Sequence, residues 1–283
     1  MKLLSFERQG RTGFGAAVEG GIVDLGALFA GRHADLKSLL EGDAVGEAAK
    51  LVAGRAADFA LEDATLLPVI PNPGKIWCCG LNYHEHVKET NNEVKEQPTF
   101  FLRVADSQVG HGQAMVRPKE SQQLDYEAEI AVVIGRGGRR IAEADVGRHI
   151  AGYAPYNDGS VRDWQRHTSQ WVPGKNFWRT GGFGPWMVTA DEIPFGTSMT
   201  LVSRLNGQEM QRATTDMMIH SIARQIAYVS TIAPLRAGDV IVTGTPGGVG
   251  ARRQPPVWMK AGDVIEIEVD RLGVLRNPVV DED

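Results

Sequence analysis

Three acidic residues in the middle of the chain are spaced in a way that suits metal binding. Glu127 and Glu129 lie two apart in the apolar stretch Tyr126 to Ile134, which predicts a strand. Alternate residues of a strand share a face, so both carboxylates lie opposite a face suited to the core. Like charges this close repel unless a cation lies between them, and hard cations such as Mg²⁺, Mn²⁺ or Ca²⁺ prefer oxygen ligands. Asp158 is a third candidate ligand, although a solvated acidic edge and a capping aspartate are the alternatives.

A second group of residues could move protons or hold negative charge. His86 and Glu89 are three apart in a helix-like stretch, so they lie on one side of the helix and can touch. In such a pair the carboxylate orients the imidazole, which takes the proton from water. Lys175 lies among glycines and aromatic residues, where it could face a buried anion. The alternatives are a solvated charged helix and a surface lysine.

The segment from Val242 to Gly250 is strand-like and then rich in glycine. It lacks the Gly-Lys-Ser/Thr ending of phosphate-binding loops, and Pro246 followed by glycines is unsuited to the start of a helix. The segment therefore predicts a tight loop whose backbone can approach a ligand closely, and it argues against a nucleotide site.

The elements that must position these residues are mainly strands. Val- and Ile-rich runs predict strands at Ile76–Cys79, Tyr126–Ile134, Met199–Leu205, Asp239–Thr243 and Asp263–Val269. Helical stretches are fewer, at His84–Glu89, Asp163–Arg166 and Met217–Ile232. Regular alternation of strand and helix is missing, which argues against a doubly wound fold and predicts an α+β, mostly β domain.

The first 66 residues predict a small separate α/β domain. Three short strand-like runs within Leu3–Leu25 precede an Ala/Leu-rich stretch, Asp35 to Ala60, with helical spacing. Residues 67–74 contain three prolines in eight positions, which predicts a linker. The main domain is then expected to span residues 75–283.

Composition excludes several classes of protein. The 283 residues include 30 Lys+Arg and 35 Asp+Glu, a formal net charge of −5 that argues against nucleic acid as the main partner. Apolar runs are too short to cross a bilayer, and the N-terminus lacks the pattern of a signal peptide, so we expect a cytoplasmic protein without a membrane partner. Cys78 and Cys79 are adjacent, which suits a pair of buried thiols better than a disulfide or a zinc site.

The order of these motifs resembles the fumarylacetoacetate hydrolase family from about Lys75 to the end of the chain. The resemblance rests on six motifs: Gly80-Leu81-Asn82-Tyr83-x-x-His86-x-x-Glu89, Tyr126-Glu127-x-Glu129-Ile130, Asn157-Asp158-x-Ser160-x-Arg162-Asp163-x-Gln165, Gly174-Lys175-x-Phe177, Gly184-Pro185-Trp186 and Thr243-Gly244-Thr245-Pro246. It implies a catalytic domain built on a mixed, rolled-up β-sheet and assembled as a homodimer. Residues 1–66 resemble the short N-terminal domain of many members.

The resemblance also implies roles for single residues. Glu127, Glu129 and Asp158 match the ligands of one Mg²⁺ or Mn²⁺ ion. His86 and Glu89 match a water-activating dyad on a lid segment, and Lys175 matches the active-site lysine. Four further residues match positions that contact the substrate or place the lid: Arg103, Ser107, Gln165 and Thr245.

Departures from the family pattern concern the surroundings of the site, and one of them is Trp178-Arg179-Thr180-Gly181-Gly182, which replaces the usual sequence between the Lys-x-Phe and Gly-Pro-Trp motifs. Gly159 stands where a valine is common after the metal-binding aspartate. Several aromatic residues surround the lysine motif and could line a pocket for an apolar tail or pack in the core: Trp164, Trp171, Phe177, Trp178 and Trp186.

The expected substrate is a small 2-oxo acid, which can chelate a metal through its carboxylate and keto oxygens. The metal then stabilises the enolate that forms. Because the dyad suits activation of water, we expect hydrolytic C–C cleavage of an acylpyruvate-like 2,4-dioxo acid, of the kind found in aromatic catabolism. The alternatives are an oxaloacetate-type decarboxylase and an enol–keto or 2-hydroxymuconate-type isomerase or hydratase. A non-catalytic binding protein is more remote, since the candidate catalytic residues are all present.

Overall fold

The computed structural model describes all residues, 1–283, and is mostly β. The strands are β1 Lys2–Arg8, β2 Arg11–Val18, β3 Gly21–Asp24, β4 Thr65–Leu66, β5 Ile76–Gly80, β6 Thr99–Arg103, β7 Gln108–Val109, β8 Met115–Arg117, β9 Leu124–Asp125, β10 Ala128–Ile134, β11 Ile150–Asn157, β12 Ser160–Val161, β13 Gly181–Phe183, β14 Met187–Thr189, β15 Thr200–Leu205, β16 Gln208–Thr214, β17 Val240–Val242, β18 Val264–Val269 and β19 Gly273–Asp281. The α-helices are α1 Leu25–Leu28, α2 Leu36–Glu41, α3 Val45–Val52, α4 His84–Glu89, α5 Arg162–Gln165, α6 Val172–Lys175 and α7 Ile222–Ile232. Short 3-10 helices occur at Leu61–Asp63, Ala105–Ser107, Glu143–His149, Thr215–Met217 and Gly250–Arg252. The predicted α+β, mostly β class is confirmed.

Two sheets form the framework. The larger sheet runs in the order β3-β2-β1-β14-β11-β10-β17-β5-β6, and the smaller one in the order β16-β15-β18-β19-β8. Both sheets are mixed, since β17 is parallel to β5 and β19 is parallel to β8 while their other neighbours along these paths pair antiparallel. The predicted mixed β architecture is therefore present, with β10 near the middle of the larger sheet.

Strand β10 is buried on both faces. Its face with Ile130 and Val132 belongs to the core between the two sheets, together with Tyr126. The opposite face, with Ala131 and Val133, belongs to a second core. The alternation that the sequence predicts is confirmed, and it directs Glu127 and Glu129 away from the core between the sheets.

The N-terminal segment continues the larger sheet. Strand β1 pairs antiparallel with β14, with Leu3 opposite Met187. Leu36 and Leu39 of α2 lie in the same core as Ala131 and Val133 of β10. Val69 and Ile70, inside the predicted linker, are buried in that core too. The larger sheet and its core therefore continue on both sides of residues 67–74. The division of the chain into domains 1–66 and 75–283 stays a prediction.

The helices are short. The stretch from Asp35 to Ala60, which has helical spacing, forms two helices, α2 and α3, because Gly42 ends the first and Asp43 adopts a positive φ of 51°. Helix α7 begins at Ile222, later than the predicted Met217, because Ser221 caps it through a bond from the backbone N–H of Arg224. None of the helices has both the length and the apolar character required to cross a membrane.

Candidate active site

The pairing of β10 with β11 brings the three acidic side chains together. The antiparallel register places Ala128 opposite Asn157, the last residue of β11. The backbone N–H of Glu127 donates to the Asn157 Oδ1 at 2.9 Å, and the Asp158 N–H donates to the Glu127 carbonyl at 3.0 Å. Carboxylate oxygens of Glu127, Glu129 and Asp158 lie within 4.8 Å of one another, and all three residues are buried.

Cationic side chains surround two of these carboxylates. The Lys175 Nζ donates to Glu127 at 2.6 Å and to Asp158 at 2.7 Å. Arg162 donates to Glu127 at 2.7 Å, and Arg103 pairs with Asp158. Burial alone would raise the pKa of Glu127, but Arg162 and Lys175 hold it well below its usual range. Burial alone would lower the pKa of Lys175, but Asp158 and Glu127 raise it, so the lysine is a cation and not a base here.

Glu129 is the carboxylate without a cationic partner. It accepts a hydrogen bond of 2.5 Å from the backbone N–H of Gly244. Its pKa is raised well above the usual range by burial first, and then by the negative charges of Asp158 and Glu127. A buried acid that lacks a counter-ion, beside two further carboxylates, is a donor set that fits one hard divalent cation. The three predicted ligands are therefore arranged as a metal site requires, and their role as ligands stays a prediction.

His86 and Glu89 form the pair that their spacing predicts. Both lie on α4, and the His86 Nδ1 is 2.7 Å from the Glu89 Oε1. Because the carboxylate accepts the proton on Nδ1, the neutral imidazole has Nε2 as its free proton acceptor. His86 is buried and lines the cavity that contains the acidic cluster. The predicted dyad geometry is thus present, whereas the predicted mobility of this segment as a lid stays a prediction.

The glycine-rich loop after β17 holds both the acidic cluster and the dyad. The N–H of Gly244 bonds to Glu129, and the N–H of Gly248 donates to the Glu89 Oε2 at 2.9 Å. Gly244 has a positive φ of 103°, and a Cβ there would lie 2.6 Å from the Cβ of Asn82. The sequence predicted that the backbone of this loop approaches a ligand closely. The structure shows that the loop backbone closely approaches two carboxylates of the candidate site.

The cavity above the acidic cluster is small, about 120 Å³. Its wall includes Gln165 and Thr245, as the resemblance implies, and also Phe101 and Trp171. Among the aromatic residues around the lysine motif, only Trp171 lines it. Trp164, Phe177 and Trp186 pack against the core, and Trp178 is exposed. Because sites for drug-sized ligands enclose about 300–1,000 Å³, this cavity suits a substrate of few atoms and not one with a large apolar tail.

Arg103 and Ser107 lie elsewhere than the sequence analysis expected. Neither lines the cavity, and both are buried behind Asp158. Arg103 pairs with Asp158 and donates to the Gly159 carbonyl at 3.0 Å and to the Ser107 Oγ at 3.2 Å. The geometry corrects the expectation of substrate contact, since these side chains position Asp158 from behind. A buried guanidinium needs hydrogen-bond acceptors, and the ends of the strands provide them.

Sequence reasoning assigned no role to Asp125 or Arg162, although Arg162 falls within the third motif and Asp125 directly precedes the second. Asp125 is buried and accepts hydrogen bonds from the Arg162 Nε at 2.8 Å and from the backbone N–H groups of Gly250 and Ala251 at 2.8 and 3.0 Å. Arg162 thus links Asp125 to Glu127. An acidic residue directly before the carboxylate strand, and an arginine between Asp158 and Gln165, were the available signals.

The structure accounts for Gly159. A Cβ at this position would lie 1.9 Å from the carbonyl oxygen of Thr180, so a valine does not fit here without movement of the backbone. Because the residue after Asp158 is a glycine, the segment that leads into strand β13 can pass close to the acidic cluster.

We predict that Gly159→Ala lowers the free energy of unfolding by about 1–3 kcal/mol or more, as expected for overpacking. Metal affinity is also expected to fall, because any shift of residue 159 moves Asp158. Thermal unfolding and calorimetric metal titration measure the two effects. Gly46→Ala is the matched control, since no atom lies within 4 Å of its added Cβ. Equal unfolding temperatures for both variants would contradict the prediction.

Comparison with known proteins supports the same picture. The family model described as fumarylacetoacetate (FAA) hydrolase C-terminal matches residues 75–280. The mitochondrial oxaloacetate tautomerase of Xenopus laevis is 38% identical over 291 residues, which cover 99% of this chain and 90% of that protein.

Two solved structures are similar along their whole length. The fumarylacetoacetate hydrolase of the psychrophile Exiguobacterium antarcticum is 32% identical with a TM-score of 0.81. The maleylpyruvate hydrolase of Sphingobium sp. SYK-6, solved with manganese(II) and pyruvate, is 28% identical with a TM-score of 0.83. In each case 100% of both chains is covered. On the family match, the identity over nearly the whole chain and the shared fold, this protein belongs to the fumarylacetoacetate hydrolase family of enzymes.

Proposed function

We propose that this protein is a divalent-metal-dependent enzyme that interconverts the enol and keto forms of a small 2-oxo acid, with oxaloacetate as the candidate substrate. The observation that supports this most directly is the small cavity, which has three carboxylates at its base and His86 in its wall. The proposed metal is Mg²⁺ or Mn²⁺, since the donors are carboxylate oxygens alone.

Keto–enol conversion needs a base that removes a proton from the carbon next to the keto group. The free Nε2 of His86 is suited to this step, because Glu89 holds the imidazole by its other nitrogen. The enolate oxygen takes a proton from water to give the enol. In the reverse direction the oxygen loses that proton and the same nitrogen returns a proton to the carbon. A Mg²⁺ or Mn²⁺ ion held by Glu127, Glu129 and Asp158 would stabilise the negative charge that develops on the keto oxygen.

Three further side chains of the cavity can hold the acid. Lys175 is a buried cation in the cavity wall and stabilises anionic charge. The Thr245 Oγ1 accepts from the Gln211 Nε2 at 2.8 Å, so its own hydroxyl proton is free for a substrate oxygen. The Gln165 Oε1 accepts from Arg162 at 3.0 Å, which leaves its amide N–H groups free to donate. These roles are inferred from the hydrogen-bond donors that each side chain has free and from its position in the cavity wall.

One of the similar proteins supports this choice by its name. The Xenopus laevis relative, which matches 99% of the chain, is named for oxaloacetate tautomerisation. An oxaloacetate-type substrate also suits the volume of the cavity better than a long 2,4-dioxo acid that must share the space with a water molecule.

We predict that the purified protein with Mg²⁺ or Mn²⁺ accelerates the decay of freshly dissolved enol oxaloacetate above the uncatalysed rate. The measurement follows enol absorbance in parallel with CO₂ release, which separates tautomerisation from decarboxylation. Chelation of the metal should return the rate to background. Release of CO₂ at the rate of enol loss would instead identify a decarboxylase.

C–C hydrolysis of an acylpyruvate is the second candidate function. The His86–Glu89 pair favours it, because hydrolysis needs an activated water and tautomerisation does not. The Sphingobium protein of similar fold is named as a hydrolase of maleylpyruvate and was solved with pyruvate. Cleavage of an acylpyruvate in H₂¹⁸O should then place one labelled oxygen in the acid released with pyruvate. Cleavage without any acceleration of oxaloacetate enol decay would make hydrolysis the function.

The assembly and the cellular location of the protein are proposed as well. We propose a homodimer in the cytoplasm, on the family resemblance and the sequence pattern respectively. Light scattering of the purified protein tests the first, and cell fractionation tests the second.

A further inference from the structure

Two arginines at the mouth of the cavity have no acidic partner. Arg166 follows helix α5, and Arg252 ends the 3-10 turn after the glycine-rich loop. Both line the cavity and both are exposed. Arg162, the third arginine of the wall, pairs with Asp125 and Glu127. In contrast, no carboxylate oxygen lies within 4.0 Å of the guanidinium nitrogens of Arg166 or Arg252.

The two guanidinium groups add positive charge to the same mouth of the cavity. Partial burial lowers the pKa of Arg166, and the positive charges of Arg252 and Arg162 lower it further. Two neighbouring cations without a counter-ion form a site of positive potential, which attracts an anion from solvent.

The cavity thus has two chemically different ends. The acidic residues of its wall, Glu127, Glu129 and Asp158, lie buried at the base, whereas Arg166 and Arg252 lie at the exposed mouth. A 2-oxo acid whose keto end faces the acidic base directs its distal end toward the arginines. Guanidinium groups bind carboxylates through paired, charge-assisted hydrogen bonds, whereas an apolar distal group would leave both cations unpaired.

We propose that Arg166 and Arg252 bind the distal carboxylate of the substrate and so select 2-oxo acids with two carboxylates. This inference rests on the proposed function for the orientation of the substrate, with the 2-oxo acid end at the acidic base. It adds two specificity-determining residues, which act on binding and not on proton transfer.

A matched pair of C4 acids tests the proposal. Oxaloacetate ends in a carboxylate and 2-oxobutanoate ends in a methyl group, while their 2-oxo acid ends are the same. Calorimetry with the Mg²⁺-loaded protein compares the wild type with Arg166→Gln, Arg252→Gln and the double variant. The control is Arg139→Gln, an exposed arginine outside the cavity.

The double variant should bind oxaloacetate about tenfold more weakly, as expected from loss of charge-assisted hydrogen bonds at a partly solvated site. Binding of 2-oxobutanoate should not change. The wild-type preference for oxaloacetate should also diminish in high salt, because exposed charges are screened. In kinetics the loss should appear in KM while kcat stays near the wild-type value.

Equal loss of affinity for both acids, or no loss for either, would overturn the inference. Failure of the proposed function looks different: the wild type would still prefer oxaloacetate through the arginines, but it would not accelerate enol decay. Binding measurements therefore test the role of the arginines, and turnover measurements test the proposed function.

Discussion

Glu129→Gln is expected to abolish tight binding of Mg²⁺ or Mn²⁺ and nearly all activity while the fold is kept. The amide has the shape of the carboxylate but not its charge, and Glu129 has no cationic partner to leave unpaired. Loss of an outer-shell partner typically costs about 10–100-fold in metal affinity, so loss of a ligand should cost on the order of 100-fold or more. Because a bound metal contributes several kcal/mol to such reactions, kcat/KM should fall by roughly 10³-fold or more.

Calorimetric metal titration and thermal unfolding of the metal-free protein are the two measurements. Glu266→Gln is the matched control, since this glutamate also lies on a strand but outside the cavity. A Glu129→Gln variant with wild-type metal affinity would show that the acidic cluster is not the metal site.

The other two predicted ligands are less suitable positions for a substitution that tests metal binding. Glu127 and Asp158 pair with the buried Lys175, and each has an arginine as a second partner. Breaking a buried ion pair by removal of one partner typically costs about 3–5 kcal/mol, because the remaining charge is left buried. Alanine at either position is therefore expected to lower stability as well as metal affinity. Loss of metal binding with the fold unchanged is therefore expected for substitution of Glu129 only.

His86→Asn should lower kcat by about 10²–10⁴-fold and leave metal affinity close to the wild-type value. This range is typical for the loss of a general base, and asparagine has no nitrogen that can take the proton. Glu89→Gln should lower kcat less, because the amide can still contact the imidazole but cannot stabilise its charged form. The measurement is the steady-state rate with saturating metal and substrate, together with calorimetric metal titration.

Helix α4 offers a matched control for the histidine. His84 lies two residues before His86 and is exposed, so His84→Asn changes the same residue type without a change in the cavity. Full activity of His86→Asn would rule out its role as the base. Loss of metal binding in the same variant would show that His86 belongs to the metal site.

The local patterns of the sequence were enough to predict the parts of the site that lie on one element. Glu127 and Glu129 follow the period of two that directs them away from the core between the sheets, and the core contains Ile130 and Val132 as the alternation predicts. The spacing of three placed His86 against Glu89 on α4. Such predictions hold because backbone geometry fixes which neighbours along the chain share a face.

Local sequence patterns predicted the type of reaction less well than they predicted the residues of the site. The dyad led the sequence analysis to expect hydrolysis, with isomerisation and decarboxylation as alternatives. Because all three reactions pass through an enolate that a metal ion would stabilise, the same residues can serve each of them. The size of the cavity, about 120 Å³, is a tertiary property, and it is what turns the proposal toward a smaller substrate.

Other features depended on contacts between distant segments, which periodicity does not specify. Lys175 lies between Glu127 and Asp158, which are 48 and 17 residues away from it in sequence. The sequence also did not show that Arg103 lies behind Asp158, or that the N–H of Gly244 faces Glu129.

The sequence by itself thus determined the family, the mostly β class, the three acidic residues and the dyad. Only the tertiary structure decided which cation neutralises which carboxylate, which carboxylate lacks a cationic partner, and where Arg166 and Arg252 lie relative to the cavity. The physical reason is that burial makes every unpaired charge costly, so the partners are set by strand register and packing across the whole fold.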